Sequence, residues 1–176
     1  MNNIAVIYKS RYGATKRYAE WIAEALQAAL FAASDILGSQ LASYDMVVYG
    51  GGLYASGISG LKLVKKNPCK SLVVFTVGLA DPAATDYAAI LQRNFPPHLL
   101  SSTKVFHFHG GIDYQNLGLL HKLMMAVLKN RLAKKRESEL SHEDKAFLAT
   151  YGQKLDFTNQ DTIEPLVTFV KEQLKI

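Results

Sequence analysis

Apolar positions in this chain alternate between two patterns. Ile4 to Tyr8, Met46 to Tyr49 and Ser71 to Val77 are short apolar runs rich in β-branched and aromatic residues, the mark of strands buried on both faces. Lys104 to His109 reads as a further strand, and Leu30 to Ser34 as a weaker one. Between them the period lengthens. Lys16 to Leu30 places Ala19, Ile22, Ala23, Leu26 and Leu30 on one helical face, with Trp21 beside it. Leu61 to Lys66 is a short helix stopped by Asn67-Pro68, and Asp81-Pro82 opens one over Ala83 to Phe95. Ser141 to Asp144 has the form of a cap leading a helix to Tyr151. The last helix begins at Thr158 to Asp161 and carries Ile163, Leu166, Val167, Val170 and Leu174 as one stripe. Strands alternating with helices predict an α/β fold, a doubly wound five-stranded parallel sheet with helices on both faces.

Two junctions carry candidate chemistry. Tyr8 to Thr15 joins the first strand to the first helix and surrounds Gly13 with the hydroxyls of Ser10, Tyr12 and Thr15. A helix N-terminus offers free N-H groups, and its dipole favours an anion by about 0.3–1 kcal/mol. The loop lacks both a Walker lysine and a G-x-G-x-x-G turn, so it suits a single monophosphate better than a triphosphate or a pyrophosphate. The residues alone leave two readings open, a phosphate cradle or a turn whose Ser and Thr cap the helix. Residues 50–60, GGGLYASGISG, follow the third strand with five glycines in eleven positions and predict a loop that a flat ligand can approach closely. Tyr54 is its one aromatic, available either to stack on such a ligand or to anchor on its own domain. His107 and His109 share a strand face, but no third ligand has matching spacing, so no metal is expected. Gly110-Gly111 again permits close backbone approach.

With 176 residues, 49% of them hydrophobic, the chain suits a single domain over 1–176. Its net charge of +5 permits acidic partners or anionic lipid, but the excess is local, concentrated between Lys122 and Arg136, and no nucleic-acid binding is expected. Leu117 to Arg136 reads as a basic amphipathic helix. Leu117, Leu120, Met124, Val127 and Leu128 lie on one face, and Lys122, Lys129 and Ala133 lie opposite. Such a helix either packs on the sheet or lies in an anionic membrane interface. The start of the chain shows no basic leader, and no apolar run has the length of a span, so a cytoplasmic location is expected. The single cysteine, Cys69, is read as packing.

The run S-R-Y-G-A-T directly after a first strand resembles the flavodoxin phosphate loop, hydroxyl-x-x-G-x-T, and the similarity extends over most of the chain. The branch it most resembles is the flavodoxin-like family that includes menaquinone-dependent protoporphyrinogen IX dehydrogenase. That resemblance implies a sheet of order 2-1-3-4-5 and an FMN cofactor at the point between strands one and three. It places Ser10, Arg11, Tyr12, Gly13, Ala14 and Thr15 on the phosphate. Gly51, Gly52, Leu53, Tyr54 and Ala55, then Thr76, Val77, Gly78, Leu79 and Ala80, and lastly Gly110, would meet the ring. The flavin would carry the redox chemistry, with no amino-acid nucleophile and no metal. The resemblance further implies dehydrogenation of protoporphyrinogen IX with a quinone as acceptor. It also implies a basic insertion at about 114–137, through which the protein would contact the membrane periphery. Two features depart from flavodoxins proper: their acidic charge is reversed here, and the tryptophan common after their third strand is absent. Two other classes stay in view, an electron carrier with a protein redox partner and a non-redox binding module on the same scaffold.

Overall fold

The computed structural model describes residues 3–54, 56–115 and 117–176. Five strands form the parallel sheet: β1 (Ile4–Lys9), β2 (Ala29–Ala32), β3 (Met46–Tyr54), β5 (Leu72–Gly78) and β6 (Lys104–His109). Their spatial order is β2-β1-β3-β5-β6, and every neighbouring pair on this path is parallel. Counting parallel strands alone, that is the expected order 2-1-3-4-5. A sixth strand, β4 (Gly57–Ile58), turns back antiparallel on the end of β3.

Side-chain alternation sorts the strand residues between two cores. Val6, Val48, Val73 and Phe75 pack on one face beneath helices α1 (Ala14–Leu26) and α7 (Glu164–Leu174), which contribute Tyr18, Ile22, Leu166 and Val170. Ile7, Val47, Tyr49 and Val74 pack on the other face with Val64 of α2 (Lys62–Lys66), Leu41 and Phe95. Each fully buried aliphatic or aromatic side chain contributes about 1.5–3 kcal/mol. The continuous apolar runs therefore mark strands that feed both layers at once.

Several boundaries differ from the sequence expectation, each for a local reason. Helix α1 stops at Leu26, where Gln27 turns left-handed at φ 50, so Leu30 belongs to β2 rather than to the helical stripe. The glycine run is not a loop. Strand β3 continues through Gly50, Gly51 and Gly52 to Tyr54, because a Cβ at Gly50 would overlap the Phe75 ring and one at Gly51 would lie 2.6 Å from Ile58. The helix expected over Ala83 to Phe95 is interrupted. The Asp81 carboxylate accepts from the Ala83 N-H and fixes a single tight turn, and α3 (Ala88–Asn94) starts later, followed by α4 (Pro97–Ser102). Beyond β6 the chain leaves the sheet through β7 (Gly111–Asp113), α5 (Leu119–Leu132) and α6 (His142–Thr150). It returns through β8 (Lys154–Asp156), which pairs antiparallel with β7. The expected insertion at 114–137 lies inside this excursion. Arg17 of α1 ties the excursion back to the main body, donating to Asp156 at 2.6 Å and to Thr158 at 2.8 Å.

His107 belongs to the fold rather than to a site. Its ring lies flat on Tyr87 at 3.5 Å between centroids, and its Nδ1 is 2.6 Å from the Thr76 hydroxyl. Burial lowers its pKa from 6.5 to about 4. The folded state thus resists a proton that the unfolded chain accepts, so His107 costs nothing above pH 6.5 and reduces stability as pH falls from 6.5 towards 4. Urea unfolding across that window should show wild type losing stability faster than His107→Gln. Parallel pH profiles for the two proteins would contradict this assignment.

Candidate functional site

The site is built where β1, β3, β5 and β6 end on one edge of the sheet. At the first junction Gly13 takes φ 93, a left-handed conformation that favours glycine, and serves as N-cap of α1. Its N-H donates to the Ser10 hydroxyl at 3.1 Å, and its carbonyl accepts from Arg17. A glycine N-cap has no side chain, so it leaves the first-turn N-H groups of α1 facing outward. Thr15, only 4% exposed, stands in that first turn, and its hydroxyl lies 3.3 Å from where a side chain on Gly52 would begin. The bare backbone of β3 therefore lets the first loop and the third strand meet.

Around this junction lies a partly open cavity of about 90 Å³. Arg11, Tyr12, Ala14 and Thr15 line it from the first loop, and Gly52, Leu53 and Tyr54 from the end of β3. Val77, Gly78 and Leu79 come from β5 and its following turn, and Gly110 from the turn after β6. The remaining expected residues are placed otherwise. Ser10 and Gly13 shape the first loop from outside the cavity wall, and Ala80 reaches the site through its backbone N-H. Gly51 sits within the sheet opposite Thr76, whose hydroxyl is turned to His107. Ala55 lies outside the described residues.

Aromatic groups furnish the cavity. The Arg11 guanidinium covers the Tyr54 ring at 4.5 Å from its centroid, so one face of the ring is held by a cation. Tyr12 lines the cavity beside Arg11, and burial raises its pKa against the pull of that guanidinium. Tyr114 packs with Tyr12 and Tyr54 in one apolar cluster rather than on the cavity wall, its hydroxyl is buried with no hydrogen-bond partner among the described residues, and burial raises its pKa. Leaving the Tyr114 hydroxyl unpaired costs about 1–3 kcal/mol. At the β6 end, Gly110 approaches the β5 turn closely enough for its N-H to donate to Gly78 at 2.7 Å. The His109 Nε2-H donates to the Leu79 carbonyl at 2.9 Å, while its ring stacks on Phe157 at 4.3 Å.

The excursion supplies the outer wall, which the sequence reading missed. Met125, Leu128 and Leu132 of α5 line the cavity, as do Glu143, Asp144 and Phe147 of α6. The Glu143 carboxylate accepts from the N-H groups of Leu79 and Ala80, both at 3.2 Å. Burial pushes its carboxyl up, against the pull of those two hydrogen bonds. Helix α5 does not have the single apolar stripe expected. Met125 and Leu132 are buried, but Leu120 is 69% exposed and Val127 61%, so the apolar residues divide between an inner and an outer face. The i, i+3, i+7 spacing of Met125, Leu128 and Leu132 was the available signal for the inner one.

A flavodoxin-domain profile matches residues 5–141. The chain belongs to the flavodoxin-domain family. Similar solved structures include the flavodoxin, WrbA-like protein from Agrobacterium tumefaciens, at 23% identity and a TM-score of 0.42 over 59% of this chain and 76% of that one. A flavoprotein in complex with FMN from Lactobacillus acidophilus NCFM has 15% identity and a TM-score of 0.41 over 62% and 93% of the two chains. Oxidised flavodoxin 1 from Bacillus cereus has 17% identity and a TM-score of 0.40 over 60% and 84%. None of the curated proteins compared with the chain matches it.

The flavodoxin-domain match ends at residue 141, one residue before α6 begins. Glu143 and Phe147 are therefore contributed to the family's sheet edge by chain beyond the matched region. Helix α6 is set there by a capping box, in which the Asp144 N-H donates to the Ser141 hydroxyl at 3.0 Å and the Ser141 N-H to Asp144 at 3.2 Å. Ser141→Ala should cost about 0.5–2 kcal/mol, read as a lower denaturant midpoint. An unchanged midpoint would show that tertiary packing alone holds α6.

Proposed function

We propose that this flavodoxin-domain chain is an FMN-dependent oxidoreductase, with residues 1–176 forming one domain. The observation that carries the reading is the first loop: a helix start capped only by glycine, beside the buried hydroxyl of Thr15, at the sheet edge between β1 and β3. In open α/β sheets this crevice outside the strand ends is where ligands bind. The donor set fits FMN. The N-H groups of α1 with Ser10 and Thr15 suit its phosphate, and the Tyr12 hydroxyl, which lines the cavity, suits a polar atom of a ring system. Tyr54, once its face is released by Arg11, supplies a stacking surface.

Bound FMN would supply the one- and two-electron chemistry. The chain's own contribution is to hold the phosphate at α1, to orient the ring between Tyr54 and the 78–80 turn, and to exclude water with Met125, Leu128, Leu132 and Phe147. Mass spectrometry of cofactor released from purified protein should find FMN, and recovery of FAD or of no flavin after reconstitution would overturn the assignment. Thr15→Ala should weaken FMN by about 1.5–3 kcal/mol, the range for a hydrogen bond to a charged group. An unchanged dissociation constant would place the phosphate elsewhere.

The more specific reading is a quinone-linked dehydrogenase acting on protoporphyrinogen IX at the inner face of a membrane. What supports it is the outer face of α5. Leu119 is 88% exposed and Leu123 62%, and with Leu120, Met124 and Val127 they form an apolar strip that ends in the exposed cations Arg131, Lys134 and Arg136. Such a strip matches an anionic lipid interface, into which apolar side chains insert while cations meet headgroups. No helix among the described residues is long and apolar enough to cross a membrane, so this contact would be peripheral. Lys122, Lys129 and Lys135 are engaged internally: Lys122 donates to the Gln115 carbonyl, Lys129 lies over the Tyr151 ring, and Lys135 is 3.8 Å from Asp144. Binding to anionic vesicles should weaken with salt, since screening acts over about 8 Å at physiological ionic strength. It should be lost when Arg131, Lys134 and Arg136 are all changed to Glu, with FMN affinity intact. Wild type that ignores anionic vesicles at low salt would favour a carrier that docks a protein partner on the same strip.

A further inference from the structure

Leu79 and Ala80 follow β5 in the turn that faces the cavity, and their N-H groups point at one spot. That spot is filled from within the chain. The two carboxylate oxygens of Glu143 each take one of the N-H groups at 3.2 Å. The arrangement is built rather than incidental. Any side chain on Gly78 would overlap the Glu143 carboxylate, so the absence of a Cβ makes the seat. Helix α6 is fixed by its capping box, with Asp144 close to Lys135, and the apolar side chains of Met125, Leu132 and Phe147 close over the same space. What remains is about 90 Å³, room for a few waters, where ligand clefts measure about 300–1,000 Å³.

We infer that Glu143 is an internal competitor for the flavin ring, occupying in cis the two backbone donors that the β5 turn would offer to the ring's acceptor edge. The inference rests on the FMN reading above. A planar ring with adjacent acceptors and a two-oxygen carboxylate present the same chemistry to a pair of consecutive N-H groups, and the two cannot sit there together. Flavin entry therefore requires the Glu143 carboxylate to leave, and the two hydrogen bonds that tie the start of α6 to the β5 turn are lost with it. The affinity seen is the intrinsic affinity reduced by the fraction of molecules with the seat vacant. Glu143 thus sets how readily the site is filled and couples filling to release of α6 from the β5 turn.

FMN titrations of wild type, Glu143→Gln and Glu143→Ala, followed by flavin fluorescence, test this together with hydrogen exchange of residues 140–151. Removing the carboxylate should tighten FMN about tenfold or more with Ala and less with Gln, whose amide keeps one acceptor. In wild type, FMN should speed exchange in α6, because the ring displaces its anchor, whereas a ligand that simply docks would slow it. Wild type that binds FMN, with both variants binding equally or more weakly and α6 protected by the ligand, would overturn the role of Glu143 and leave the FMN reading standing. Failure of all three proteins to bind FMN would overturn both.

Discussion

Strands β1, β3 and β5 are buried on both faces and paired in parallel, and the rest of the structure follows from that constraint. Parallel neighbours require a crossover for each return, so helices cover both layers and every strand delivers its next loop to the same edge. There the ladder ends, and backbone N-H groups must find other partners. The chain solves this differently at each strand end. After β1 a left-handed Gly13 opens α1, its own N-H donating to the Ser10 hydroxyl. After β5 the N-H groups are taken by Glu143 from a distant helix, and after β6 Gly110 donates back to Gly78. The one edge thus combines a helix start capped only by glycine with a carboxylate that takes the N-H groups of another strand's turn.

Much of this was legible because buried parallel strands leave a strong signal. The runs at Ile4, Met46 and Ser71 marked the central strands, and the hydroxyl-rich loop around Gly13 marked the first turn of the site. The glycine run at residues 50–52 misled, because glycine serves two physical purposes. Read alone it implied loop freedom, whereas in the fold it clears space for Phe75 and Ile58 inside a strand that must lie close to both. The direction of the Thr76 side chain was likewise not legible. Alternation along β5 turns it to the opposite face, where His107 takes its hydroxyl.

The outer wall of the site was the least legible part. β7 and β8 have three residues each, too short to carry a period, and their pairing joins positions more than forty residues apart. Glu143 was hidden in a capping signature that Ser141 and Asp144 fully explain. Helix α5 concealed its role by being apolar on two sides. Its inner residues close the cavity, while Leu119, Leu120 and Leu123 remain exposed on the outer face. The same helix therefore walls the cavity on one side and presents an apolar strip on the other.

The central claim is that the ends of β1, β3 and β5 jointly form a flavin site. Backbone amide chemical shifts of the isotopically labelled protein, followed while FMN is added, test it most directly. The account predicts that the largest shifts fall on Gly13, Ala14, Thr15 and Lys16 at the start of α1 and on Leu79 and Ala80 after β5, saturating together at one equivalent. Shifts confined to other surfaces, or saturation of the α1 amides without any response at Leu79 and Ala80, would contradict it.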